Sequence, residues 1–263
     1  MSIITLTTDF GHRSGFTGVL KGVIYGIAPN VTVVDIGHGI AAQDVHEGAL
    51  TLWRACKFFP KDTIHIYIVD PGVGTARRAL AANLGSHFFV GPDNGLLTPI
   101  IEDAERADQP LKFVHLDNPK YWLPKVSRTF HGRDIFSPVA AHLSNGIPLA
   151  ELGSFIHDPV RIKMVRPEKT STGWIAHVTL IDNFGNLATD FPAEALQGRT
   201  DILFRIRGTE IHGVVDSYGF RALGDLVAVE DSEDYIELAE VNGSAARRLN
   251  AKVGDVVEVI FSE

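Results

Sequence analysis

TIHIYIVDPGVGTARR, residues 63 to 78, decides the fold. TIHIYIV (63 to 69) is a β-branched run that reads as a strand, and it ends in a segment rich in glycine and charge. Outward from it, IITLT (3 to 7), VTVVDI (31 to 36), HFFVG (87 to 91) and KFVHL (112 to 116) read as further strands. Between them lie helical patterns at 15 to 28, with Val19, Val23 and Ile27 on one face, and at 44 to 58, with Ala49, Leu52, Trp53 and Cys56 on another. DIFSPVAAHLSNG (134 to 146) reads as one more helix, opened by Asp134 and closed by Asn-Gly. Strands alternating with helices predict βαβ units and an α/β domain with a mostly parallel central sheet. Ligands of such sheets bind beyond the carboxyl ends of the strands.

From 147 to 172 the periodicity disappears, and prolines stand at 148, 159 and 167. The expected organisation is an N-terminal α/β domain at 1–160, a linker at 161–172 and a C-terminal domain at 173–263. In the last, WIAHVTLI (174 to 181), DILFRI (201 to 206), EIHGVV (210 to 215), DLVAVE (225 to 230), YIELAEV (235 to 241) and DVVEVIF (255 to 261) are short strands with turns between them. Their spacing predicts an all-β, barrel-like domain.

The 263 residues carry a formal charge of −8, which argues against a broad nucleic-acid surface because phosphate binding needs clustered Lys and Arg. Cys56 is the only cysteine, so no intrachain disulfide or multi-cysteine metal site is available, and a reducing compartment is expected. No signal-peptide pattern and no run of 18 apolar residues is present; a cytoplasmic protein without membrane partners is the expectation.

Polar residues cluster at strand ends: TTDFGHRSG (7 to 15), DIGHGIAAQDV (35 to 45), VDPGVGTARR (69 to 78), GPDNG (91 to 95) and TFHGRD (129 to 134). Each alone is ordinary turn chemistry, but five at one edge of a sheet would line one crevice. No Gly-Lys-Ser/Thr follows Gly72 and Gly74, and their spacing does not fit the dinucleotide fingerprint. Asp9, His12, Asp35, His38, Asp44 and His46 include metal-ligand types, but no helical His-x-x-x-His spacing concentrates them, so no metal site is expected. Cys56 lies in an apolar helical stripe and reads as core.

TLTTDFG (5 to 11), VDPGVGTARR, VGPDNGLLTP (90 to 99), SRTFHGRDIFSPVAAHLSNG (127 to 146) and IDNFGNLATD (181 to 190) together resemble the signature segments of the S-adenosyl-L-methionine (SAM) hydroxide adenosyltransferase family, also called SAM hydrolases. That resemblance, covering nearly the whole chain, implies conversion of SAM and water to adenosine and L-methionine, with SAM as substrate and no cofactor. It also implies a homotrimer whose ligand sits between the N-terminal domain of one subunit and the C-terminal domain of its neighbour. Asp70, Arg77 and His131 match the family's water-activating triad, with Arg78 an adjacent alternative to Arg77. Asp9 matches the residue that accepts the ribose hydroxyls, and Phe130 falls beside the ribose. Asp182 matches the residue that receives the methionine ammonium, Phe184 and Asn186 the adenine-contacting pair, and Tyr218 an aromatic that stacks on adenine. Gln43 falls where halogenating relatives carry a tryptophan, and Asn242 and Ala246 correspond loosely to methionine and adenine contacts.

Two alternatives remain at this point, a SAM-dependent halogenase and a SAM- or adenosine-binding sensor without turnover. Against halide use, the carboxylate of Asp70 would repel an anion, and TARR runs to HFFVG without the long insertion of fluorinating relatives. Gly132 also stands where those relatives place a serine.

Overall fold

The computed structural model describes residues 2 to 261; residues 1, 262 and 263, the ends of the two expected domains, lie outside it. The chain divides into two compact units between Met164 and Val165.

The first unit is built on β1 (Ile3–Thr8), β2 (Thr32–Gly37), β3 (Ile64–Ile68), β4 (Ala79–Leu84), β5 (His87–Pro92), β6 (Leu111–His115) and β7 (Ser154–Ile156). They form one sheet in the order β2-β1-β3-β5-β4-β6-β7. The sheet is mixed and not mostly parallel. β1 pairs in parallel with β2 and β3, and β3 with β5, whereas β4 with β5, β4 with β6 and β6 with β7 are antiparallel. The cause is β4, ALAANL, which folds back on β5 through a two-residue loop at Gly85 and Ser86, Gly85 taking φ 58°. Alanine and asparagine carry little strand preference, so this element leaves no pattern in the sequence.

Helices α1 (Phe16–Ile27), α2 (Val45–Cys56), α3 (Thr98–Arg106) and α4 (Ser137–Ser144) cover both faces. Leu20 and Ile24 of α1 and Val139 and Ala140 of α4 pack with Ile4, Leu6, Ile64, Ile66 and Ile68. On the other face Ala49 and Leu52 of α2 and Ile100 and Ile101 of α3 pack with Tyr67, Val69 and Leu80. α4 begins later than the sequence predicts. Gly132–Phe136 form a π-helical turn, and Asp134 does not cap: it is fully buried and accepts the Ser127 N–H at 2.7 Å and the Arg133 guanidinium.

The chain leaves β1 toward β2 on one side and reaches β3 on the other. The gap between β1 and β3 is therefore a topological switch point, open beyond their carboxyl ends. Asp9 and Asp70 stand at this opening, immediately after β1 and β3.

The second unit contains β8 (Glu168–Lys169), β9 (Gly173–Ile181), β10 (Leu187–Pro192), β11 (Ile202–Ile206), β12 (Thr209–His212), β13 (Val214–Val215), β14 (Leu226–Glu230), β15 (Tyr235–Glu240) and β16 (Val256–Phe261), with one short helix, α5 (Ala245–Leu249). The sheet runs β12-β11-β16-β9-β10-β15-β14-β13, with β8 beside β9. Its two ends, β12 and β13, are consecutive in the chain and separated by Gly213 alone, at φ 70°. The sheet therefore curls back on itself as a nearly closed barrel, around Val178, Leu187, Phe191, Phe204, Ile236 and Val259. EIHGVV, expected as one strand, is broken at Gly213 because the barrel turns there.

Candidate functional site

Asp9, Phe10, Gln43, Asp70, Phe130 and His131 line one cavity of about 250 Å³ in the first unit. Arg77 reaches its wall from behind. Its Nε donates to Asp70 Oδ1 at 2.9 Å and its Nη2 to Asp70 Oδ2 at 2.5 Å, a bidentate pair with side chains only 5% exposed for Asp70 and 10% for Arg77. Nη2 also lies 2.9 Å from His131 Nδ1. A guanidinium only donates, so His131 Nδ1 accepts, and in the neutral imidazole the proton sits on Nε2. Burial, and then the Arg77 charge, hold the His131 pKa below its ordinary value. The histidine is therefore neutral at pH 7, with its one lone pair already engaged.

The sequence left Arg77 and Arg78 exchangeable; the structure separates them. Arg78 turns away, donating to Asp93 Oδ2 at 2.8 Å, to Asp158 Oδ1 at 2.8 Å and to the Asp158 carbonyl at 2.6 Å. The two loops that carry the cluster touch at Gly74, whose φ is 76°. A Cβ there would lie 2.1 Å from the Arg128 carbonyl oxygen, so only glycine lets VDPGVGT meet the segment leading to His131.

Asp9 Oδ2 accepts the Gln43 backbone N–H at 2.8 Å, with Gln43 at φ 69°. Gln43 thus orients Asp9 through its main chain, and Asp9 Oδ1 remains for a ligand. Phe10, Phe16 and Phe130 meet edge to face at centroid distances of 5.2 to 5.9 Å, forming an apolar corner beside Asp9. A Cβ on Gly132 would lie 2.8 Å from Ile68 Cδ1, so a serine at this position requires Ile68 to move.

The remaining candidates belong to the second unit. Asp182 organises its own turn: Oδ1 accepts the N–H groups of Phe184 and Asn186, at 2.9 and 2.8 Å, and Oδ2 accepts Asn186 Nδ2 at 3.1 Å. Ala246 joins this turn, its N–H donating to the Gly185 carbonyl at 2.9 Å. Tyr218 donates to Glu237 Oε1 at 2.6 Å; burial, Glu237 and the nearby Asp182 charge all raise its pKa. Asn242, at φ 57°, stands in the turn before α5. Phe184 is 75% exposed, and Phe220 and Leu223 of the same unit are exposed as well.

Of the residues weighed as metal ligands, Asp35, His38, Asp44 and His46 have other partners, and His12 meets the His38 ring edge to face at 5.8 Å. Asp35 bonds His38 at 3.1 Å and Lys21 at 2.6 Å, Asp44 caps α2 through the Glu47 N–H, and His46 contacts the Lys163 carbonyl at 3.4 Å. Among the described residues no three His, Cys, Asp or Glu side chains converge as a metal site. Cys56 is buried in the core, and burial pushes its thiol up to about 12. No helix among the described residues is long and apolar enough to cross a membrane.

A two-layered helical cover on a mixed sheet, an Asp–Arg–His cluster at the switch point and a following barrel-like unit define a two-unit α/β-plus-β class of protein. Within that class, family models for the SAM hydroxide adenosyltransferase N-terminal and C-terminal domains match residues 4–153 and 176–258, and the chain belongs to this family. It is similar to a protein named (R)-S-adenosyl-L-methionine hydrolase from Salinispora tropica, at 36% identity over 97% of each chain. A fluorinase from Actinoplanes sp. is 28% identical over 98% of this chain and 97% of its own. An uncharacterized conserved protein from Thermotoga maritima, of known crystal structure, superposes with a TM-score of 0.91 at 34% identity, over 98% of this chain and 99% of that one.

Proposed function

We propose that this protein hydrolyses SAM to adenosine and L-methionine, by attack of a water oxygen on ribose C5′ from the side opposite the sulfonium. The observation that carries the proposal is the Asp70–Arg77–His131 cluster on the wall of the cavity that also presents Asp9. Asp9 Oδ1 binds the ribose hydroxyls, and the corner of Phe10, Phe16 and Phe130 packs against the sugar. Each Asp70 oxygen accepts one Arg77 bond and keeps a lone pair for the attacking water. The C5′–O bond forms as the C5′–S bond breaks; sulfur leaves with the electron pair as the neutral thioether of methionine, and the water proton passes to Asp70 and then to solvent. Arg77 stabilises hydroxide character in the nucleophile. His131, with Nδ1 engaged, acts as an anchor for Arg77 and as an Nε2–H donor; it does not take the water proton. Holding the nucleophile in line is worth about 7–11 kcal/mol in favourable intramolecular systems, so positioning accounts for much of the rate.

The halogenase alternative is disfavoured by the Asp70 carboxylate at the attack position and by Ile68, which fills the space a serine at 132 would need. The working unit proposed is a cytoplasmic homotrimer, in which Asp182, Phe184, Asn186, Tyr218, Asn242 and Ala246 of one subunit complete the cavity of its neighbour. The exposure of Phe184 in the Asp182 turn supports that arrangement. The sulfonium is already a good leaving group, so neither metal nor cofactor is required, and a chelator leaves the rate unchanged. Chromatography of SAM incubated with wild-type protein, Asp70→Ala and His131→Ala tests the reading. Adenosine formed by the wild type and lost in the variants supports it, and bound but unconverted SAM in the wild type supports the sensor.

A further inference from the structure

GPDNG (91 to 95) is a polar strand-end segment without a part in the chemistry above, yet it bonds the chain neighbours of both members of the Asp70–Arg77 pair, Val69 and Arg78. The β3–β5 ladder ends at Ile66 and Val90, so the last residues of β3 run on without that partner toward Asp70. Asn94 replaces the ladder there: its Nδ2 donates to the Val69 carbonyl at 2.7 Å, one residue before Asp70. Its Oδ1 accepts the Leu96 N–H at 3.3 Å, which fixes the amide plane. The preceding residue holds Arg78, the neighbour of Arg77. The Asp93 N–H donates to the Arg78 carbonyl at 3.0 Å, the same oxygen that Arg77 Nη1 approaches at 3.3 Å, and the buried Asp93 carboxylate grips the Arg78 side chain. Gly91 makes room for this arrangement, since a Cβ there would lie 2.3 Å from the Tyr67 carbonyl oxygen.

We propose that Asp93-Asn94 is the positioning element of the reaction, with the Asn94 amide setting where Asp70 meets Arg77. Two adjacent residues hold the carbonyls of Val69 and Arg78, which flank the seven-position span from Asp70 to Arg77 whose side chains must meet within a fraction of an ångström. Neither residue lies on the cavity wall, so both act through the pair they hold.

This inference rests on the hydrolase reading, and the experiment separates the two. Asn94→Asp keeps an oxygen for the Leu96 N–H and replaces the donor to Val69 by a charged acceptor that repels the carbonyl; Asn94→Ala removes both bonds without adding charge. Thr98→Val is the control, because Thr98, at the start of α3, bonds the Gly95 carbonyl of the same segment and accepts the Ile162 N–H, and neither bond goes to Val69 or Arg78. All are assayed below their melting temperatures. For both Asn94 variants we expect kcat to fall about 10- to 100-fold with KM for SAM within about threefold, and the acid limb of the pH–rate profile to move. The imidazole nitrogen resonances of His131 should also lose the bare-Nδ1, protonated-Nε2 pattern as Arg77 shifts. Thr98→Val should lower the melting temperature and leave kcat unchanged. Wild-type kcat, pH profile and His131 resonances in both Asn94 variants, or an equal loss of kcat in Thr98→Val, would overturn the inference. A wild type that forms no adenosine refutes the hydrolase reading instead, while the His131 resonances still report on Asn94.

Discussion

Asp70 lies 7 positions from Arg77 and His131 lies 54 beyond it, yet the three form one group because a guanidinium has donors enough for both partners. Removing the carboxylate has two separable effects. Asp70→Asn should lower kcat by about 10²–10⁴-fold in an adenosine-release assay, and, by leaving Arg77 buried without its anion, should cost about 3–5 kcal/mol of stability in urea denaturation. The pH dependence follows from His131. Its Nδ1 must be bare to accept from Arg77, and its pKa lies below the ordinary 6.5, chiefly through burial. Activity should therefore hold as pH falls to 6.5 and decline only at lower pH, when protonation expels Arg77. A pH–rate profile whose acid limb lies above 6.5 contradicts this tautomer. The resemblance of their motifs singled out the three residues as candidates, but sequence could neither choose between Arg77 and Arg78 nor assign the histidine proton. Both depend on which guanidinium reaches Asp70 and His131, a fact of three-dimensional approach.

At the scale of elements, the site is made by loops that must touch. Gly74 is the point of contact between the loop after β3 and the segment before the π-helical turn, with a positive φ and no room for a Cβ. Gly74→Ala should cost about 1–3 kcal/mol, read as a lowered melting temperature, and reduce kcat by an order of magnitude or more by pushing His131 from Arg77. The strands that the sequence revealed are those whose β-branched runs announce them: β1, β2, β3, β5 and β6 in the first unit, and most of the barrel in the second. β4 and β10 were illegible, since ALAANL and LATDFP are strands only by virtue of their neighbours. Missing β4 is what made the sheet look mostly parallel. Asn94 was visible as part of a polar turn, but its bond to Val69 spans 25 positions and follows only from how β3 and β5 part.

For the whole molecule, charge and burial set the acid limit. His65 is fully buried, its Nδ1 bonded to Thr5 Oγ1 at 2.8 Å, and burial with the neighbouring His87 lowers its pKa to about 3. A histidine neutral in the fold but free to protonate when unfolded makes stability fall as pH drops from 6.5 toward 3. The slope of unfolding free energy against pH over that range should be shallower in His65→Phe, measured by urea denaturation at several pH values. The proposed trimer predicts a solution mass three times that of the chain, and a monomer's mass would contradict it. The central claim concerns one bond: water oxygen joins ribose C5′ as sulfur departs. Turnover of SAM in water labelled with heavy oxygen, followed by mass analysis of both products, tests it directly. The account predicts the label in adenosine and none in methionine; unlabelled adenosine, or cleavage that yields no adenosine, would contradict it.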